Sequence, residues 1–187
     1  VRMWEVDTGK ELWHQDLDQI KIKGRVKTAG EVWGHQFSPD SQYLLTAHQA
    51  AEKQLSIWKA QTGELVRRFG GRQPHQSVVR CVAWSPKGDL VAVGHEAITK
   101  RENVWHDPEH CVIRLYDPAT GELVRVLSGH AGPVDTLDFS PDGRRLASGS
   151  GGQYLNDPIF EAGSGDNSIR LWEVATGREL LRHDMQK

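Results

Sequence analysis

The sequence predicts an all-β chain assembled from repeated four-stranded antiparallel units, and three observations carry that prediction. An aromatic strand followed by a Thr-Gly turn recurs, a Ser-Pro turn recurs between its copies, and no helical period runs through the chain. The aromatic strand occurs as Arg2-Met3-Trp4 with Thr8-Gly9, Ser56-Ile57-Trp58 with Thr62-Gly63, Arg114-Leu115-Tyr116 with Thr120-Gly121, and Arg170-Leu171-Trp172 with Thr176-Gly177. From Trp4 the aromatic positions step by 54, 58 and 56 residues to Trp58, Tyr116 and Trp172, a spacing that marks an internal repeat.

The second element falls between these copies as Phe37-Ser38-Pro39-Asp40, Trp84-Ser85-Pro86-Lys87 and Phe139-Ser140-Pro141-Asp142. Each ends an alternating run and opens a tight turn, with Pro fixing φ and Asp or Gly tolerating the turn geometry. The last unit then reads as four strands, Val134 to Phe139, Arg145 to Ser150, Ser168 to Glu173 and Glu179 to His183, rich in β-branched and aromatic residues. The same division places two final strands of a unit at 1–13 and complete units at 14–69, 70–127 and 128–187.

Composition sets the outer bounds. The 187 residues carry 26% charged residues and a net charge of -2, which disfavours the basic stripe of a nucleic-acid binder. No stretch reaches the roughly 18 to 20 apolar residues of a membrane helix, so no membrane role is expected. Two cysteines, Cys81 and Cys111, do not make a secreted disulfide framework, and a reducing, cytoplasmic setting is the expectation.

These repeats resemble the WD40 family, whose unit carries a Gly-His pair, a Ser-Pro-Asp-Gly turn and a terminal Trp-Asp. Gly129-His130, Ser140-Pro141-Asp142-Gly143 and Leu171-Trp172-Glu173 match closely, with Glu in place of Asp. The Thr-Gly-Glu-Leu turns are similar to those of bacterial members. The resemblance implies a β-propeller fragment of about three and a half four-stranded blades, fewer than the four to eight of a closed ring. It therefore implies a ring completed either by the remainder of the propeller in the same chain or by a second copy.

The resemblance also implies that His130, Ser148, Asp166 and Trp172 form a buried hydrogen-bonded chain that staples the last blade. Aligned on the Ser-Pro turn, the unit before it offers His75, Val93, His110 and Tyr116 at those positions, and the unit before that Thr28, Thr46, Glu52 and Trp58. Half of the network is lost in the first case; in the second Thr46 and Trp58 fit, Glu52 is a substitute for Asp and the histidine is lost, so both blades are expected to rely more on packing. His35, which aligns with Val82 and Leu137, is expected to be a satisfied core histidine.

Strand direction alternates within a blade, so connections after the second and fourth strands leave on one face, and all the long ones belong to that set. Leu17 to Gly30 extends a link between blades; Glu96 to Glu109 and Gly151 to Gly165 extend consecutive second-to-third-strand loops, against only Gln49 to Ala51 between them. Loops of about 14 residues held on a rigid scaffold are where binding groups concentrate. Their aromatic residues make Trp105, His106, Tyr154 and Phe160 the candidate anchors for a protein or peptide partner.

Histidines gather on the same side. His95, His106 and His110, with Asp107, Glu109 and Cys111 nearby, form an alternative metal site, although Pro108 opposes a regular helix between two of them. Gly149-Ser150-Gly151-Gly152 follows a strand without entering a helix and so fails as a phosphate loop. With no nucleophile motif or paired carboxylates, the sequence predicts a non-enzymatic interaction, scaffold or sensor module that needs no cofactor.

Overall fold

The computed structural model describes residues 1–15, 21–22, 25–26, 32–48, 53–71, 77–97, 111–151 and 166–185. Within them the chain is all β. A ribbon of β1 (Arg2–Trp4) and β2 (Glu11–His14) is followed by a short pair, β3 (Lys21–Ile22) and β4 (Arg25–Val26). That pair lies inside the segment expected to be a plain connection between units.

Three four-stranded antiparallel sheets follow, each in simple meander order. The first comprises β5 (Val32–Phe37), β6 (Tyr43–His48), β7 (Leu55–Lys59) and β8 (Leu65–Phe69). The second comprises β9 (Ser77–Trp84), β10 (Val91–Ala97), β11 (Ile113–Tyr116) and β12 (Leu123–Leu127). The third comprises β13 (Val134–Phe139), β14 (Arg145–Ser150), β15 (Ser168–Glu173) and β16 (Glu179–Asp184). Among the described residues no helix is long and apolar enough to cross a membrane.

The Ser-Pro turns are tight because their serines close them. Ser38 Oγ donates to Asp40 at 2.5 Å and accepts from the Tyr43 amide at 2.9 Å; Ser140 repeats this with Asp142 and Arg145. In the second sheet Lys87 holds the Asp position, and Ser85 bonds Asp89 instead at 2.6 Å.

Three apolar interfaces hold the sheets face to face. Leu45, Leu55, Ile57 and Phe69 of the first sheet pack on Val79, Trp84, Val93 and Tyr116 of the second. Ala92, Ile113, Leu115 and Leu127 on the other face of the second sheet pack on Val134, Phe139, Leu146 and Trp172 of the third. Leu44 and Trp58 receive Met3 and Trp13 from the leading ribbon. Each large side chain buried this way contributes roughly 1.5–3 kcal/mol.

Polar latches cross the same interfaces at one repeated place, the third residue of each unit's last strand. Trp13 Nε1 donates to the Ala60 carbonyl at 2.7 Å, Arg67 Nη1 to Thr120 at 2.9 Å, and Arg125 Nη1 and Nη2 to Thr176 and Ala175 at 2.9 and 2.7 Å. In every case the acceptor lies in the neighbouring sheet's Thr-Gly turn. Gly63 has φ +70, and a Cβ there would lie 2.6 Å from the Trp13 ring. Only glycine meets both demands.

Both ends of the stack present faces that are covered at internal positions. Ile169 and Leu171 stand where the second sheet has Ile113 and Leu115, yet Ile169 is 45% exposed and Ile113 is 0% exposed. At the other end Trp4 is 50% exposed, whereas Trp58, Tyr116 and Trp172 are buried. This also corrects the expectation for His35. It shares the inward-facing register of Val82 and Leu137, but the leading ribbon packs on Leu44 of β6 and Trp58 of β7, and His35 and Phe37 are exposed.

Candidate functional site

The first strands of successive sheets lie side by side and run the same way. Early in each, Trp33 lies near Arg80 and Arg80 near Asp135; late in each, the Trp84 amide donates to Gln36 Oε1 at 2.6 Å. The three sheets therefore send their second-to-third-strand connections to one common face. These connections are 49–54, 98–112 and 151–167, so the two long ones leave adjacent sheets side by side. The anchor candidates Trp105, His106, Tyr154 and Phe160 lie on them, outside the described residues.

At the base of those connections a polar cluster spans all three four-stranded sheets. Arg80 donates through Nε and Nη2 to Asp135 Oδ1 at 3.0 and 2.8 Å, approaches the buried Glu96 carboxylate at 3.5 Å, and places its guanidinium carbon 5.5 Å from the centre of the Trp33 ring. Trp33 keeps 40% of its surface exposed. A guanidinium on an aromatic face gains about 0.5–1 kcal/mol at a partly exposed site. Sequence reasoning missed this cluster because its members sit in three different units and none belongs to the repeated motif.

Below the rim, the last sheet contains the hydrogen-bonded chain. His130 Nδ1 bonds the Asp166 carboxylate, and its Nε2 lies 2.7 Å from Ser148 Oγ, which accepts from Trp172 Nε1 at 2.8 Å. The order is self-consistent: with Nδ1–H donating to Asp166, Nε2 accepts from the Ser148 hydroxyl. Burial raises the Asp166 pKa, but the His130 and Ser168 bonds and the Arg170 charge outweigh it and hold the carboxyl below its ordinary value. Arg170, itself buried, also bonds Glu179 at 2.6 Å.

In the first four-stranded sheet the histidine comes from a different place. His48, two residues beyond Thr46 on β6, sets Nε2 2.9 Å from Thr46 Oγ1 and 3.1 Å from Ser56 Oγ, while Trp58 Nε1 donates to Thr46 at 2.8 Å. Thr46 and Trp58 thus keep their expected places, and the imidazole that Thr28 cannot supply comes from His48, so this sheet depends less on packing than expected. Burial, then the Arg68 charge, lowers the His48 pKa to about 4, so the ring is neutral near pH 7.

The second sheet solves the problem with apolar groups. Val93 replaces the hydroxyl, Tyr116 replaces Trp, and Tyr116 meets Phe69 edge-on at 5.6 Å between ring centres. His75 and His110, aligned with the rest of the chain, lie outside the described residues.

Of the alternative metal ligands, His95 is fully buried, and burial followed by the nearby Arg114 charge drives its pKa well below the ordinary value. His106 and His110 lie outside the described residues, among which no group of three or more His, Cys, Asp or Glu is placed to hold a metal. Cys81 donates to the Val134 carbonyl at 3.2 Å, and burial pushes its thiol up to about 12, the opposite of an activated nucleophile.

Repeated four-stranded meanders, packed face to face with first strands adjacent and, in the last of them, stapled by Trp-Ser-His-Asp, define a β-propeller repeat protein. The family model described as "WD domain, G-beta repeat" matches residues 20–59, 63–97 and 121–173. The chain belongs to the WD40 family.

Relatives agree with that placement. The chain is 27% identical over 182 residues to the WD repeat-containing protein SL1-17 of Schistosoma mansoni, covering 97% of this chain and 46% of the relative. It is 25% identical to the serine-threonine kinase receptor-associated protein of Dictyostelium discoideum, covering 92% and 43%. The solved structure of U3-55K superposes with a TM-score of 0.63 at 19% identity, over 87% of this chain and 42% of that one, and shows the fold alone. The chain thus spans less than half the length of the proteins it matches. These named relatives are eukaryotic, and the bacterial style of the turns finds no support among them.

Proposed function

We propose that the protein is a non-catalytic scaffold that binds a protein or peptide partner on the face carrying its two long connections. The observation that supports this most is the departure of 98–112 and 151–167 from adjacent sheets on one face, above the Trp33–Arg80–Asp135 rim. A rigid sheet stack presenting aromatic anchors keeps the ordering cost of binding low. Trp105, His106, Tyr154 and Phe160 are the proposed anchors, with Trp33 as a further contact.

The test is partner capture by the protein and by a Trp105→Ala/Phe160→Ala variant with an unchanged circular dichroism spectrum. Loss of capture supports the reading; undiminished capture overturns it.

We further propose that additional four-stranded sheets cover the two open faces, supplied by the same polypeptide or by a second copy. The exposed Ile169 and Trp4, whose counterparts are buried, support this. Two copies placed end to end would leave the outer edge of β1 unpaired in both, whereas further strands of the same polypeptide can pair it. Same-chain completion is therefore favoured, and a discrete dimer by sedimentation equilibrium would refute it.

A further inference from the structure

The opposite face, where the Ser-Pro and Thr-Gly turns lie, carries a second feature that the long-loop reading does not use. Between the second and third four-stranded sheets runs an open cleft of about 700 Å³. Its floor is apolar, formed by Leu90, Leu115, Val124, Val174 and Leu180, and Val124 and Leu180 are exposed branched side chains. Its walls carry five cations, Lys87, Arg125, Arg144, Arg145 and Arg178, against the two carboxylates Asp89 and Glu173. In a chain whose net charge is -2 this is a local reversal of sign.

The nearby carboxylates are hydrogen-bonded within their own turns and keep their charge, and Asp142 feels the Arg144 and Arg145 charges without pairing with either. Asp89 accepts from Ser85, Glu173 from Thr176 at 2.5 Å, and Asp142 from Ser140 and the Arg144 amide. The one cation that Glu173 pairs with among the described residues is Arg178, at 3.9 Å. Among the described residues no carboxylate lies within ion-pair distance of Lys87, Arg144 or Arg145. Arg125 is held by its bonds to the Thr176 and Ala175 carbonyls, which fix its charge in place without neutralising it.

The equivalent cleft between the first two four-stranded sheets shows that this is no general property of the repeat. It is smaller, about 310 Å³, is walled partly by Trp84, and has Asp40 where its neighbour has Lys87. Among the described residues lining it, Arg67 and Lys87 alone oppose that carboxylate.

We propose that the larger cleft docks an extended acidic segment of a protein partner. A branched apolar side chain packs on Val124, Val174 and Leu180, and flanking carboxylates meet Lys87, Arg144 and Arg145. Charge complementarity selects the occupant, and the apolar floor selects a peptide over a nucleic acid. Among the described residues no aromatic side chain lines the cleft to stack a base, and single-strand binding normally draws much of its affinity from such stacking.

The test uses a fluorescein-labelled synthetic peptide alternating Glu and Leu, measured by fluorescence anisotropy. Saturable binding that weakens with salt is expected, together with a loss of at least about tenfold in a Lys87→Glu/Arg144→Glu variant, both positions being exposed turn residues. Unchanged thermal unfolding of that variant shows that the fold is intact. A Leu180→Ser variant should also weaken binding, while Trp105→Ala/Phe160→Ala should leave it unchanged, so this site and the long-loop face stand or fall separately. Absence of saturable binding, equal affinity for an all-Glu peptide, or equal affinity for an oligouridylate would each overturn the proposal.

Discussion

Replacing Ser148 with Ala deletes one hydroxyl and orphans two buried groups at once. Trp172 Nε1–H loses its acceptor at 2.8 Å and His130 Nε2 loses its donor at 2.7 Å, with Trp172 only 2% exposed. A buried polar group left unsatisfied costs about 1–3 kcal/mol, so the substitution should destabilise the protein by about 2–4 kcal/mol. The same change in a Trp172→Phe background orphans only the imidazole and should cost less, giving a coupling energy of at least about 1 kcal/mol between the two sites. Urea denaturation followed by far-ultraviolet circular dichroism gives the global number. Hydrogen exchange at β14 and β15 amides shows whether the loss is local to the third sheet, which matters because repeat arrays open in parts. Effects that add within about 0.5 kcal/mol would refute the reasoning, since the hydroxyl would then stabilise through something other than the indole.

Acid should destabilise through the buried neutral histidines. The His48 pKa lies at about 4 when folded against 6.5 as its ordinary value, so the stability it contributes is complete above about 6.5 and is lost as pH falls towards 4. That loss is roughly 2 kcal/mol by pH 5, and a His48→Gln variant should show a flatter dependence of urea midpoint on pH over this range. Gly63→Ala should cost at least about 1 kcal/mol more than Gly9→Ala. Both positions have positive φ, but an added Cβ at Gly9 meets nothing within 4 Å, whereas at Gly63 it displaces Trp13 and its bond to Ala60; equal midpoints would show the latch to be energetically idle. Metal analysis of the purified protein should find no stoichiometric metal, and a bound equivalent lost in His106→Ala/His110→Ala would reinstate the alternative site.

The periodic part of the fold was legible because one physical requirement repeats along the chain. Each unit needs a tight turn after its first strand and an aromatic side chain on its third, so Ser-Pro and Trp or Tyr recur at nearly constant spacing and fix the strand positions. Substitutes were not legible. Thr28 offered no imidazole at the aligned position, yet His48 delivers one to the same Thr46 hydroxyl from two residues along the strand. Alignment compares positions, whereas a hydrogen bond constrains only where the donor and acceptor atoms arrive. His35 shows the complementary limit: alternation fixes its register, but its burial depends on a neighbouring sheet, and the leading ribbon packs on β6 and β7 instead.

The latches carry that distinction furthest. Trp13, Arg67 and Arg125 occupy one position and share almost nothing as residue types, one being an apolar indole and two being cations. Each nevertheless places a planar N–H group over the next sheet's Thr-Gly turn, where carbonyls left unpaired by the turn need donors. What the position requires is a flat donor at the end of a long side chain, so its sequence varies while its geometry does not. Leu181 occupies the fourth instance, exposed and without a donor, and among the described residues Gly9 stands in the one such turn that no side chain crosses. At this position Leu181 can supply only the apolar half of the Trp13 contact, which packs on Leu44 and Trp58 as well as bonding Ala60.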